Sequence, residues 1–133
     1  MTDLPDFEKR EDRIGPYLYC VDGDRVSFES MSAAISYIGE DASLPRELRI
    51  LEIALDTKAT FNIYDVKVLF RKMNETALKY TFIKHAVVHN SQINTAYALF
   101  VESFNRHSCY ELRVFSSVKA AEKWLPVTDS PNH

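Results

Sequence analysis

The second half of the chain alternates strand-like and helix-like segments, and this alternation limits the folds open to it. Patterns typical of buried strands occupy residues 49–56, 83–88 and 110–115. Each is followed by a segment whose apolar residues recur at helical spacing. Strand–helix–strand repeats of this kind form right-handed crossovers between parallel strands. The pattern therefore predicts an α/β fold in which the last three strands are parallel.

The first half is predicted to open with a β-hairpin at the edge of a mixed sheet of about five strands. Residues 17–21 and 25–28 are β-prone, and Asp22-Gly23-Asp24 between them is a common turn sequence. Residues 1–13 and 126–133 carry charges and helix breakers without periodicity, so we expect them to be tails. The ordered core would then span residues 14–125.

Capping residues and apolar stripes predict four helices. The first would start at Ser30 and end at Gly39, and the second, which has the clearest stripe, would start at Asn62. A polar loop at 90–94 precedes a third helix. Ser116 and Ser117 lead into the fourth, which stops before Pro126. The apolar residues that define the first and third stripes are Met31, Ala34, Ile35, Ile38, Ala96, Leu99, Phe100 and Phe104.

Length and charge exclude several classes of protein. The 133 residues suit one domain with one core, and the net charge of −3 argues against binding to a phosphate backbone. No apolar run approaches the roughly 20 residues of a spanning helix, and the polar start lacks the features of a signal peptide. We therefore expect a cytoplasmic protein without a membrane span or a nucleic-acid partner. Cys20 and Cys109 are expected to be reduced thiols.

Three motifs resemble the STAS superfamily, the sulphate-transporter and anti-sigma-factor-antagonist domain, and within it small bacterial SpoIIAA-like proteins. The motifs are FNIYDVKVLFRKM, IKHAVVHNSQINTAYALF and YELRVFSSVKAAEKWL. The third is the most specific, because a strand ending in Val-Phe-Ser before a short helix ending in Trp-Leu is typical of that group. The resemblance covers the ordered chain and implies a SpoIIAA-like fold with its helices packed mainly on one face of the sheet. It also implies a binding or regulatory role.

The chain departs from the resembled family at the position of its regulatory serine. Antagonist members carry a phosphorylated Ser at the start of the helix that follows the central strand, commonly within Asp-Ser-Ser-Gly. The corresponding residues 56–65 keep Asp56 at the strand end but contain neither Ser nor Gly. Thr60, Asn62 and Tyr64 stand there instead, so phosphoryl switching by the family's route is not expected.

The carboxyl ends of parallel strands and the helix starts beside them form the default ligand edge of an open α/β sheet. Free N–H groups at such helix starts could hold a small anion, although the same residues could simply cap helices and solvate turns. The candidate interaction or ligand residues at this edge are Asp56, Thr57, Thr60, Asn62, Tyr64, Asp65, His89, Asn90, Ser91 and Asn94.

No catalytic, cofactor or metal motif is recognised. The three glycines do not form a phosphate loop, and no Gly-x-Ser-x-Gly occurs. His85 and His89 are spaced to share one side of a strand, but no third ligand lies near them, so separate structural roles are expected. Cys109 beside His107 would need a low-pKa environment to act as a nucleophile.

Three functions stay open. The first is a non-enzymatic regulatory module that binds a protein partner through the region from Asp56 to Asp65. The second is a carrier that holds a small molecule or lipid in an apolar pocket. The third, ranked last, is a hydrolase or transferase using His89 or Cys109. Self-association is also open, because an exposed helix face or sheet edge could pair two copies.

Overall fold

The protein is described here by a computed structural model that covers residues 6–89 and 109–126. Seven strands and three helices occur in these ranges. The strands are β1 (Glu8–Glu11), β2 (Pro16–Val21), β3 (Arg25–Val26), β4 (Glu47–Ile53), β5 (Lys58–Ala59), β6 (Phe82–Val88) and β7 (Tyr110–Phe115). The helices are α1 (Phe28–Glu40), α2 (Ile63–Ala77) and α3 (Val118–Trp124).

Five strands form one mixed sheet in the order β1-β2-β4-β6-β7. The strands β2, β4, β6 and β7 are mutually parallel, and β1 pairs antiparallel with β2 at one edge. The predicted α/β class and the parallel arrangement of the last three long strands are confirmed. β3 and β5 form a separate, two-stranded parallel sheet beyond the carboxyl ends of β2 and β4.

The opening hairpin is formed by β1 and β2, and not by β2 and β3 as predicted. Residues 8–11, expected to lie in a tail, form β1 and pair with β2, whereas Asp22-Gly23-Asp24 leads to β3, which pairs with β5. The turn between β1 and β2 is stabilised by Asp12, whose Oδ1 accepts the N–H groups of Ile14 and Gly15 at 2.9 and 3.1 Å. Every side chain of β1 is exposed, so its sequence shows no alternation of apolar and polar residues.

α1 and α2 pack together on one face of the sheet, and the shorter α3 lies on the other. The α1–α2 face holds the larger core, which includes Leu18, Ile50, Leu69 and Leu112. Leu51, Ala86 and Ala121 belong to the smaller core under α3. Because both faces of β4 and β6 are covered, most of the residues in these strands are buried, including the polar side chains of Arg49 and His85.

Two predictions at the ends of α1 were wrong. The N-cap is Ser27, whose Oγ accepts the N–H of Ser30, and Ser30 returns a bond to the N–H of Ser27, so Ser30 is the second member of a capping box. Gly39 does not end the helix, which continues to Glu40. A Cβ at Gly39 would lie 3.4 Å from Oγ1 of Thr76 in α2, so this glycine permits the close approach of the two helices.

The other predicted element starts agree closely with the structure. Asn62 caps α2, Ser117 caps α3, and β7 has the predicted bounds. The predicted strand at 49–56 is β4, which begins and ends earlier. The polar loop at 90–94 and the helix containing Ala96 and Phe104 lie outside the described residues. None of the described helices is long and apolar enough to cross a membrane.

Candidate functional site

A cavity of about 600 Å³ lies between α1 and the face of the sheet that α1 covers. One wall is the apolar stripe of α1, and Ile50 of β4 and Met73 of α2 extend this apolar surface. The volume is that of a pocket for a small organic molecule. The α1 residues of the wall are Met31, Ala34, Ile35 and Ile38.

Three polar side chains on adjacent strands form a hydrogen-bonded chain in the cavity lining. His85 of β6 lies between Glu52 of β4 and Tyr110 of β7. Its Nε2 is 2.7 Å from Oε1 of Glu52, and its Nδ1 is 2.6 Å from the hydroxyl oxygen of Tyr110. His85 and Tyr110 are buried, so these bonds replace the water that the groups would otherwise bind.

The protonation of this chain follows from its burial. Burial lowers the pKa of His85 to about 4, so the ring is neutral at pH 7. Burial, followed by the charge of Glu52, raises the pKa of Tyr110 well above its usual value. The phenol therefore donates to Nδ1, and the single ring N–H, on Nε2, donates to Glu52. Both ring nitrogens are thus engaged with protein groups.

Asp22 places a second carboxyl group beside this chain. It follows the last residue of β2, and its backbone N–H donates to the carbonyl oxygen of Ile53 at 2.8 Å. Its Oδ2 is buried and has no hydrogen-bond partner within residues 6–89 and 109–126. Burial, then the negative charge of Glu52 and a side-chain hydrogen bond to Glu52, raise the pKa of Asp22 to about 10. Asp22 is therefore a neutral carboxylic acid at pH 7.

Cys20 also lines the cavity and is not activated as a nucleophile. Burial, with smaller contributions from the charges of Glu52 and Asp22, raises the pKa of its thiol strongly. Catalytic cysteines need the opposite shift, because the thiolate is the reactive form. Cys20 and Cys109 are both free thiols, as expected.

The residues of the predicted strand-end edge that the structure describes, up to His89, do not line this cavity. Thr57 is buried, and its hydroxyl donates to the carbonyl oxygen of Gly23 at 2.8 Å. The hydroxyl of Thr60 donates to the carbonyl oxygen of Val26 at 3.3 Å. Asp56 adopts a left-handed turn with φ of 59°. Thr57 and Thr60, which flank β5, thus join it to the segment that contains β3.

Side chains of Asn62 and Asp65 occupy backbone N–H groups at the start of α2. Oδ1 of Asn62 accepts the N–H groups of Tyr64 and Asp65 at 2.9 and 3.0 Å, and Asp65 accepts the N–H of Asn62 at 3.1 Å. Because these N–H groups are used and a carboxylate lies in the first turn, this helix start disfavours the small anion expected there. Tyr64 stays 74% exposed.

The two histidines have separate roles, as the sequence suggested. His89 donates its backbone N–H to Phe115, and its Nε2 lies 3.3 Å from the carbonyl oxygen of Thr57. Thr57 and His89 are therefore brought together by the fold. The described residues contain no group of three or more side chains that could hold a metal ion. Asn90, Ser91, Asn94 and His107 lie outside the described residues.

Sequence reasoning missed the cavity cluster of Asp22, Glu52, His85 and Tyr110. One signal was present, since Glu52 and His85 stand within strands that otherwise indicate a buried core. That signal is weak, because Arg49 is also a buried charged residue of β4, and its role is to bond Asp12 in the β1–β2 turn. The cluster comes from four segments, and its assembly depends on the register of the sheet.

The arrangement of sheet and helices is a SpoIIAA-like fold, in agreement with the resemblance found in the sequence. A solved structure similar to this chain is an uncharacterised protein of the DUF3478 family with a SpoIIAA-like fold, from Shewanella loihica PV-4. The match has a TM-score of 0.56 and 11% sequence identity, and it covers 94% of this chain and 98% of that one. No protein-family model and no curated protein matches the sequence.

Proposed function

We propose that this protein is a non-enzymatic binding module that holds a small amphipathic molecule in the cavity beside α1. The observation that carries the proposal is the cavity itself, in which an apolar wall meets a compact group of polar side chains. Ligand sites commonly combine a large apolar lining with a few polar groups that orient the ligand. The SpoIIAA-like fold is compatible with a binding or regulatory role.

The hydrogen bonding of the cluster favours binding over catalysis. A general base must present a free lone pair to the proton that it removes. In His85 the Nδ1 lone pair accepts from Tyr110, and the other nitrogen donates to Glu52. The ring is therefore a fixed structural link that positions Glu52 at the cavity.

Filling the cavity tests the proposal. Ala34→Phe would occupy the space along the apolar wall, whereas Ala34→Ser changes the same position with little change in volume. Binding can be measured by the fluorescence of Nile red, a neutral apolar dye, and by its displacement with short-chain amphiphiles. We expect wild type and Ala34→Ser to bind the dye and Ala34→Phe to bind it at least tenfold more weakly. Equal binding by all three proteins, or no binding to wild type, would reject the proposal.

A second candidate function is the capture of a protein partner at the first turns of α2. Ile63, Tyr64 and Val68 are 47, 74 and 50% exposed. Tyr64 and Val68 are four residues apart and so share one side of the helix. Exposed apolar and aromatic side chains grouped in this way are typical of the centre of a protein interface. The predicted edge from Asp56 to Asp65 leads into this surface.

A pull-down from native extract distinguishes this second function. Tyr64→Ala should lose any partner that wild type retains, whereas Leu78→Ala removes another exposed apolar side chain from beyond the opposite end of α2 and should retain it. Retention of the same partner by Tyr64→Ala, or no partner with wild type, would count against this surface.

Four further expectations remain predictions. They are a role in signalling, a cytoplasmic location in a bacterial cell, one domain over residues 1–133, and pairing of two copies.

A further inference from the structure

The strand β7 forms one edge of the five-stranded sheet, and β6 is the one described strand that pairs with it. At the start of this ladder the N–H of Ile83 donates to the carbonyl oxygen of Cys109 at 2.8 Å. Alternate residues of a strand bond to the same neighbour, so Glu111 and Arg113 also bond to β6 through their backbones. The N–H and C=O groups of Leu112 therefore point away from β6. An outer edge of this kind is a template for another strand.

The exposed side chains of β7 carry opposite charges on the two sides of Leu112. Leu112 belongs to the larger core, whereas Arg113 lies over the ring of Trp124 in α3, on the other face of the sheet. Glu111 shares that face, and its Oε2 is 4.0 Å from Nε of Arg113. The two side chains are 49 and 56% exposed. The charge pattern of β7 is therefore complementary to itself when the strand is turned end to end about Leu112.

We propose that two copies of this chain pair edge to edge through antiparallel β7 strands, with Leu112 at the two-fold axis. Leu112 then exchanges two backbone hydrogen bonds with its equivalent in the second copy, because its N–H and C=O groups both point outward. Glu111 of each copy lies opposite Arg113 of the other, at the positions of an antiparallel pair where side chains approach most closely. The inference is independent of the ligand proposed for the cavity.

The geometry of the sheet is compatible with this pairing. The two-fold axis is perpendicular to the sheet, so the α1–α2 layers of the two copies lie on one side and the two α3 helices on the other. The two sheets join into one continuous sheet. Symmetric pairing of identical surfaces of this kind is the commonest form of protein dimer.

The opposite edge of the sheet is poorly suited to the same pairing. β1 has four residues, and all of its side chains are exposed. A two-fold axis at Lys9 or at Arg10 would place a cation opposite its own copy, which is unfavourable. Charged side chains on an edge strand commonly prevent such contacts. We therefore assign the pairing to β7.

The contact between the copies is small. Leu112 is already buried within one chain, so pairing chiefly covers the backbone edge and the two cross-strand ion pairs. Small interfaces are usually weak, and we expect a reversible dimer whose fraction rises with protein concentration.

Sedimentation velocity of wild type and charge variants tests the inference, at protein concentrations from about 1 to 300 µM, where weak dimers dissociate and form. Arg113→Glu places like charges opposite each other at both cross-strand positions, and so does Glu111→Arg. We expect each variant alone to dimerise roughly tenfold more weakly than wild type, because two attractive pairs become repulsive. Arg10→Glu and Glu8→Arg make the same changes of charge on β1 and should dimerise as wild type does.

Mixing the two β7 variants gives the decisive result. An equal mixture of Arg113→Glu and Glu111→Arg restores opposite charges at both positions, so the mixture should dimerise although each variant alone does not, which also shows that both are folded. The inference is overturned if wild type is monomeric at every concentration, if Arg113→Glu dimerises as wild type does, or if the mixture fails to recover. An equal loss of pairing in Arg10→Glu would assign the contact to β1 and would likewise overturn it.

Discussion

At the scale of single residues, the firmest long-range polar contact is that of Arg49. Its side chain is buried, and its guanidinium makes two bonds to Asp12, at 2.7 and 2.9 Å, with a third to the carbonyl oxygen of Gly15 at 2.8 Å. The pKa of Asp12 falls to about 2, chiefly through the hydrogen bond from Arg49. This contact ties the β1–β2 turn to β4, so the edge hairpin does not depend on backbone pairing alone.

Removing the carboxylate of Asp12 should destabilise the protein. Asp12→Ala leaves a buried guanidinium without its charged partner, at a cost of about 2 kcal/mol in the free energy of unfolding. Chemical denaturation at pH 7 measures the change. Glu8→Gln is the control, because both side chains of the Glu8–Arg10 ion pair are exposed and the pair should contribute little to the free energy of unfolding. Equal effects of the two substitutions would show that the Arg49 contact has no special weight.

At the scale of elements, side chains at the starts of the helices decide where each helix begins. Ser27, Asn62 and Ser117 each accept a backbone N–H from the first turn of the helix that follows. In α2 this arrangement also brings Asp65 back onto Asn62, which satisfies a further donor. The predicted ligand edge at this helix start therefore has a structural role whichever partner it binds.

Loss of the α2 cap should have a measurable effect on stability. Asn62→Ala removes the acceptor for two N–H groups, and we expect it to lower the free energy of unfolding by about 1 kcal/mol. Tyr64→Ala, two residues later on an exposed position, should change it by much less. Urea denaturation of the two variants beside wild type measures both values. A larger effect from Tyr64 would mean that its ring packs in a way that its exposure does not indicate.

At the scale of the whole molecule, the buried cluster makes stability depend on pH. The folded-state pKa of Asp22 is about 10, far above that of an unfolded Asp, so the folded state holds an extra proton and stability falls as the pH rises toward 10. The pKa of His85 is about 4, below its unfolded value, so its contribution to stability is lost as the pH drops from about 6.5 to 4, and this loss offsets the gain from Asp22 over the same range. Above about pH 6.5 the Asp22 contribution is no longer offset, and above about pH 8.5 the raised pKa of the Cys20 thiol adds to the loss of stability.

Asp22→Asn should flatten the alkaline side of this profile. From pH 7 to 9, wild type is expected to lose at most about 1.4 kcal/mol per pH unit through this group. The variant cannot ionise there, so its melting temperature should fall less, and the difference from wild type should widen as the pH rises. Thermal unfolding from pH 5 to 9.5 measures the two profiles. Parallel profiles would show that Asp22 is already ionised in the folded protein.

The sequence by itself determined what depends on local pattern. Apolar periodicity predicted β4, α2, β6 and β7, and the identities of Asn62 and Ser117 predicted where two helices begin. The parallel arrangement of the last three long strands followed from the alternation of strand-like and helix-like segments. The sequence could not reveal β1, because an edge strand with every side chain exposed has no pattern of burial, and so the hairpin was assigned to the wrong turn.

Only the tertiary structure decided the candidate site. Asp22, Glu52, His85 and Tyr110 come from the end of β2 and from three other strands, and a shift of one residue in register would turn their side chains to the opposite face. Their protonation is also a tertiary property, because burial and the neighbouring charge of Glu52 set the pKa of Asp22. Spacing along the chain carries neither register nor burial depth, which is why an acid and a histidine inside apolar strands became a site only in the folded protein.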